Sequence, residues 1–173
     1  EIGQRTINNV LGPHTNHAGT HIQLTGDFDP KLTEPLAHVL NELGSKAALV
    51  IHGANGLDEL NTTGANRVSH LKNNSVETYD LNPADLNLAP STIHDLRGGA
   101  PDESAEMMKA ILPNQLQGAR RDAVLLNAAA ALAAESGDFK SALDEARASL
   151  DSGNALNKLN ALIEFTRQFQ TIQ

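Results

Sequence analysis

The residues best suited to chemistry stand in one short run, His52-Gly53-Ala54-Asn55-Gly56-Leu57-Asp58-Glu59. It follows Ala47-Ala-Leu-Val-Ile51, a continuous apolar segment of strand length. Strands that are apolar throughout are covered on both faces, as in parallel sheets. Open α/β sheets bind ligands just beyond the carboxyl ends of such strands. Two glycines make the run tight, and two adjacent carboxylates close it. Mg²⁺ takes hard oxygen ligands, commonly one or two carboxylates together with substrate phosphates. Asp58 and Glu59 are therefore the candidate metal ligands. An Asp-Glu pair alone is ordinarily two solvated charges, so its place after the strand carries the reading. His52, beside the motif, is read as fixing the loop by hydrogen bonds rather than as a catalytic base.

Other polar residues carry weaker signals. His14, His17 and His21 form a spaced group of imidazoles that could bind Zn²⁺ or Ni²⁺. No cysteine or carboxylate completes that set, so they are read as loop residues and the first residue of a strand. Asn127 falls on the apolar face of a helix, and a buried polar group there is expected to be satisfied, not catalytic. Gly98-Gly99 is read as a turn. Arg5, taken alone, is a surface arginine.

The elements that position these residues can be read from periodicity. His21-Ile-Gln-Leu-Thr-Gly26 alternates as a strand does. Leu36, Val39, Leu40 and Leu43 recur at helical spacing, with Pro35 in the first turn, Thr33 as N-cap and Gly44 as terminator. With Ala47–Ile51 they make a βαβ unit. Asn66 to Leu71 and Val76 to Leu81 flank the turn Asn73-Asn74-Ser75 and predict a hairpin. Antiparallel strands beside a parallel unit imply a mixed sheet. Helices are expected from Asp102 to Leu112 and from Gln117 to Glu135, the latter with Val124, Leu125, Ala128, Ala131 and Leu132 on one face. A third is capped by Asp138 and faces Leu143, Ala146 and Leu150 inward. A fourth is marked by Leu156, Leu159, Ile163 and Phe169. Strands followed by helices, with no long linker, predict one α/β domain with a helical carboxyl-terminal region.

Composition narrows the partners. The chain's 173 residues suffice for a domain with a real core. With 40% hydrophobic but only 3% aromatic residues, that core must be aliphatic. A net charge of -8 and scattered basic residues argue against nucleic acid. The absence of cysteine excludes disulfides and thiolate metal sites and fits a cytoplasmic location. No apolar run approaches the roughly 20 residues of a membrane span, and no signal sequence is visible. The chain begins at Glu1, not Met, so it is expected to be processed or part of something longer.

Several segments together resemble the anthranilate phosphoribosyltransferases, and they appear in that family's order. Gly56-Leu-Asp-Glu59, after a strand ending in His-Gly, is similar to the family's magnesium motif. Arg5-Thr-Ile-Asn-Asn-Val-Leu-Gly-Pro13 resembles its Arg-Thr-Ile-Phe-Asn-Leu-Leu-Gly-Pro. Glu34-Pro-Leu-Ala-His-Val-Leu40 with Leu43-Gly44, Gly98-Gly99 followed by Glu103-Ser-Ala105, Arg121-Asp-Ala-Val-Leu-Leu-Asn-Ala-Ala129 and Ser152-Gly-Asn-Ala155 agree as well. The sequence departs from the pattern at Asn8, His14, His17 and Ser104, where the family usually has Phe, Leu, Pro and Asn.

The resemblance implies transfer of the phosphoribosyl group from phosphoribosyl pyrophosphate to the anthranilate amine, releasing pyrophosphate, in tryptophan biosynthesis. It implies that Asp58 and Glu59 hold Mg²⁺ on the pyrophosphate and that Arg5 pairs with the anthranilate carboxylate, which a planar guanidinium can do bidentately. Family members are about twice this long. The chain is therefore expected to be the carboxyl-terminal part of the phosphoribosyltransferase α/β domain. The amino-terminal helical region, the Gly-Thr-Gly-Gly-Asp phosphate loop and a Lys-His-Gly segment are missing from it. It should be incomplete alone and form a homodimer when complete. Two other readings share the scaffold. One is a pyrimidine-nucleoside phosphorylase-like enzyme, which the Arg5 segment and the Gly-Leu-Asp-Glu motif oppose. The other is a non-catalytic relative that binds nucleic acid or protein. The acidic charge opposes nucleic acid, and the retained carboxylates oppose loss of magnesium chemistry.

Overall fold

The structure is a computed structural model and describes residues 19–169. Its centre is a mixed sheet in the order β1 (Ile22–Gly26), β2 (Ala47–His52), β3 (Asn66–Lys72), β4 (Ser75–Leu81). β1 and β2 run parallel, with Leu24 beside Leu49 and Gly26 beside Ile51, while β2–β3 and β3–β4 are antiparallel. The βαβ unit followed by a hairpin is thus present as expected.

The apolar run of β2 explains the layering. Ala47 to Ile51 are each at most 2% exposed, and successive side chains point to opposite faces. Ala48 and Val50 pack with Leu71 against Leu36, Ala37 and Leu40 of helix α1 (Thr33–Glu42). Leu49 and Ile51 join Val68 in the larger core, beneath α3 (Ala119–Ala133) and α4 (Phe139–Asp151). Each fully buried leucine or isoleucine there contributes about 1.5–3 kcal/mol of transfer free energy. Helix α2 (Pro101–Ile111) precedes α3, and α5 (Asn154–Arg167) ends the described chain.

Local chemistry sets the boundaries. Gly44, at φ +86°, closes α1: its N–H donates to Asn41 O and the next N–H, of Ser45, donates to Leu40 O, the pairing of a Schellman cap. Asp138 caps α4, its carboxylate accepting from the Ser141 N–H at 3.0 Å and hydroxyl at 2.6 Å. The hairpin turns on Asn73 and Asn74 alone, both with positive φ, as a tight primed turn requires. Ser75 is already paired with Lys72, so the ladder runs one residue further on each side than the sequence pattern indicates.

Two other readings are corrected. Thr33 is not the N-cap of α1; Leu32 holds that place without a side-chain cap. The Thr33 hydroxyl is committed to the core, donating to Pro30 O and accepting from the Ser69 hydroxyl. In α3 the buried stripe is Leu125, Leu126, Ala129, Ala130 and Ala133, while Val124 and Leu132 are 42% and 48% exposed. Ala128 and Ala131 are exposed as well, so the packed face is the stripe one residue further along, on which Leu125 and Leu126 stand. In α5 no residue is buried; Leu156 and Leu159 are half-buried and Ile163 is exposed, as is Phe169 two residues beyond the helix.

Candidate functional site

The acidic segment is seated across the ends of both parallel strands. The chain leaves β2 at His52 and makes a short 3₁₀ turn over Ala54–Gly56, with Asn55 at φ 61° and Gly56 at φ 80°. It then pairs back on itself, the Gly53 N–H donating to Leu57 O at 2.7 Å. Asp58 and Glu59 follow at once. A Cβ placed on Gly26, the last residue of β1, would lie 1.7 Å from Asp58 O, and one on Gly53 would lie 1.8 Å from Glu59 O. Only glycine admits a crossing backbone so near. These two glycines set where the carboxylates stand.

Side-chain amides hold the rest of the loop. The Asn66 carboxamide is fully buried; its oxygen accepts from the N–H groups of Ala54 and Asn61, and its nitrogen donates to Asn61 O. Asn61 donates in turn to Ala54 O and Glu59 O. From α3, Asn127 accepts from the Leu60 N–H at 3.0 Å and donates to Leu60 O at 2.7 Å and to Ala123 O at 2.9 Å. Asn127 is thus the satisfied polar group expected of it. His52 contacts Asp27 O through Nδ1 at 2.9 Å. A carbonyl can only accept, so Nδ1 carries the proton. His52 thereby ties the end of β2 to the segment after β1, the loop-fixing role read from its position.

The carboxylates themselves stay free. Asp58 and Glu59 are exposed, and among the described residues neither carboxylate makes a hydrogen bond or ion pair. They border a cleft of about 780 Å³ between the sheet, α2 and α3, lined also by Met107, Met108, Arg120 and Asn127. Arg120 donates to Arg97 O beside this cleft at 2.8 Å, and its Nε is buried without a partner. In the adjoining turn, the hydroxyl and N–H of Thr92 hold Asp95 below the usual carboxylate range.

Two hard, uncommitted oxygen donors beside open space fit a divalent cation that keeps waters or takes further oxygens from a phosphate. Among the described residues no group of three or more His, Cys, Asp and Glu could hold a metal unaided. The pair therefore suits shared coordination, not a closed protein cage.

The Gly98-Gly99 turn also has a defined task. A Cβ on Gly99 would strike the Glu103 carboxylate, which accepts from the Ala100 N–H and caps the start of α2. Arg5, His14 and His17 lie outside the described residues, and His21 is exposed just before β1. Sequence patterning missed the seat made by Gly26 and Gly53. The available signal was the density of Asn and Thr between Asn55 and Asn66, residue types that bond to nearby backbone.

The comparisons with known proteins bear on the family and the fold. Residues 1–156 match the model of the glycosyl transferase family, a/b domain. The anthranilate phosphoribosyltransferase of Desulfatibacillum aliphaticivorans is 44% identical over 169 residues, covering 96% of this chain and 50% of its own length. The crystal structure of the anthranilate phosphoribosyltransferase from Thermus thermophilus superposes with a TM-score of 0.86 at 36% identity, covering 95% of this chain and 49% of that one. The Saccharomyces cerevisiae enzyme, solved in complex with phosphoribosyl pyrophosphate and Mg, gives a TM-score of 0.77 at 26% identity, over 94% of this chain and 47% of that one. The chain spans about half the length of the relatives it matches.

Proposed function

Because the chain belongs to the glycosyl transferase family, whose a/b domain matches residues 1–156, we propose that it is the carboxyl-terminal part of an anthranilate phosphoribosyltransferase. The observation that carries this reading is the seat of Asp58 and Glu59 on Gly26 and Gly53, which sets two uncommitted carboxylates beside the cleft. In the complete enzyme the anthranilate nitrogen attacks the anomeric carbon of phosphoribosyl pyrophosphate, the bond from that carbon to the pyrophosphate oxygen breaks, and the strongly acidic arylammonium so formed loses one proton to water or to the departing pyrophosphate.

The roles of this chain's residues follow from their charge. Asp58 and Glu59 would hold Mg²⁺, which when bound offsets charge on the pyrophosphate. Arg5 pairs with the anthranilate carboxylate through charge-assisted hydrogen bonds. An anionic acceptor and an anionic donor are thereby brought together without mutual repulsion. The anthranilate amine is unprotonated at neutral pH, so His52 is not required as a base and remains tied to Asp27.

The phosphate-binding loop belongs to the amino-terminal half of the family's chain, so residues 1–173 alone are expected to be inactive. The complete enzyme is read as a cytoplasmic homodimer, in line with the resemblance. The test is an assay of the purified chain before and after mixing with the separately made amino-terminal half of the Desulfatibacillum relative. Transfer to anthranilate should appear only in the mixture. No transfer in the mixture would overturn the reading, and full turnover by the 173-residue chain alone would overturn its incompleteness.

A further inference from the structure

We propose that Asn127 is the positioning residue of the carboxylate pair, its carboxamide clamping Leu60 so that Glu59 and Asp58 meet the cleft in a fixed direction. This rests on the reading of Asp58 and Glu59 as metal ligands.

Beyond the single bridge from Gly53 to Leu57, the segment from Asp58 to Leu60 belongs to no strand or helix, so no ladder holds it. Its floor is set by Gly26 and Gly53, which fix how close the backbone comes but not how it is rotated. Leu60 is fully buried, which puts its backbone N–H and carbonyl out of reach of water. Both find their partner in one side chain, 67 positions further along: the Leu60 N–H donates to Asn127 Oδ1, and Asn127 Nδ2 donates to Leu60 O. A primary carboxamide presents a donor and an acceptor side by side, as a peptide group of a neighbouring strand would.

The clamp is itself anchored. Asn127 Nδ2 also donates to Ala123 O one turn back on α3, which restrains its rotamer. α3 in turn is fixed by Leu125, Leu126, Ala129 and Ala130 in the main core. The peptide that Asn127 grips adjoins Glu59, while Asn61 Nδ2 reaches Glu59 O from the other side at 3.3 Å. The rigidity of the helical layer is thus passed to the acidic pair through one amide. Groups that orient metal ligands from behind are a recurrent determinant of affinity. Asn127 touches neither metal nor substrate in this scheme.

The experiment uses the 173-residue chain, a fixed concentration of inorganic pyrophosphate to supply the remaining oxygens, and Mn²⁺, whose unbound ion is followed by its paramagnetic resonance signal. Asn127→Ala and the milder Asn127→Ser are compared with Leu126→Val, which thins the core at the preceding residue but spares the clamp, and with Asp58→Asn/Glu59→Gln. Hydrogen exchange at the Leu60 amide and thermal unfolding are recorded for each. Both Asn127 variants should weaken Mn²⁺ binding by about ten-fold or more and speed exchange at Leu60. Leu126→Val should lower the unfolding temperature and leave Mn²⁺ affinity unchanged. If the Asn127 variants lose thermal stability but keep native Mn²⁺ affinity, Asn127 only satisfies a buried backbone and the proposal is overturned. If the double carboxylate variant binds Mn²⁺ as the native chain does, the metal reading itself fails and the positioning role falls with it.

Discussion

The carbonyl oxygen of Asp58 stands where Gly26 would carry a side chain, 1.7 Å from the position of a Cβ. Backbone from two distant segments meets there, and neither is the end of a flexible side chain that could swing aside. Gly26→Ala must push the acidic segment off the end of β1. Overpacking of this kind costs about 1–3 kcal/mol, so unfolding in urea should shift by that amount. In the assembled enzyme the same change should lower transferase activity further than the lost stability explains, because Asp58 moves. Activity retained in proportion to the folded fraction would show that the seat does not govern the site.

Asp58→Asn with Glu59→Gln should behave in the opposite way. Among the described residues neither carboxylate supports the fold through a bond, and a chain of net charge -8 gains by losing like charges. Stability is expected within about 0.5 kcal/mol of the native chain. Steady-state kinetics of the complemented enzyme, with Mg²⁺ and both substrates varied, should show a weakened magnesium dependence and poor use of the phosphoribosyl donor. Arg5→Ala is the contrasting variant. It should act chiefly on KM for anthranilate, with about 1.5–3 kcal/mol at stake in a charge-assisted hydrogen bond. An unaltered magnesium profile in the double variant would remove the main support for the metal assignment.

A third expectation concerns acid. The Ser141 hydroxyl and N–H hold Asp138 below its ordinary carboxylate value of 3.8 in the folded chain. A depressed folded pKa means that the cap's contribution is fully present above 3.8 and is lost as pH falls through the folded value beneath it. Asp138→Ala should therefore lower the melting temperature at neutral pH, and the gap to the native chain should narrow in strong acid. Asp138→Asn keeps an uncharged acceptor for Ser141 and should contribute without that acid dependence. A gap between native and Asp138→Ala that stays constant down to strong acid would contradict the capping role.

The sequence was most readable where one physical effect dominated. Ala47–Ile51 could only be a strand buried on both sides, and the placement of Asp58 and Glu59 beyond it followed from chain direction. Asn73-Asn74 supplied a turn through the tolerance of Asn for positive φ. It was least readable where two segments distant in sequence meet. Gly26 looks like an ordinary strand end until Asp58 is laid against it, and Gly53 like any loop glycine until Glu59 is. Asn127 could be recognised as needing partners but not as needing Leu60. Thr33 had a local use as a cap, and Ser69 claimed it instead. In α3 the run of alanines carries too little contrast to tell which face packs, so the leucine spacing alone pointed one step away from the true stripe.

β1 occupies the end of the sheet and pairs with β2 alone among the described residues. Its segment Ile22-Gln-Leu-Thr-Gly26 has no lysine, no proline and no inward charge, the devices by which terminal strands ordinarily resist addition of another strand. An uncovered border of this kind among the described residues is open to addition of a strand, so the solubility of the 173-residue chain should fall with concentration and rise when a complementary strand occupies that border.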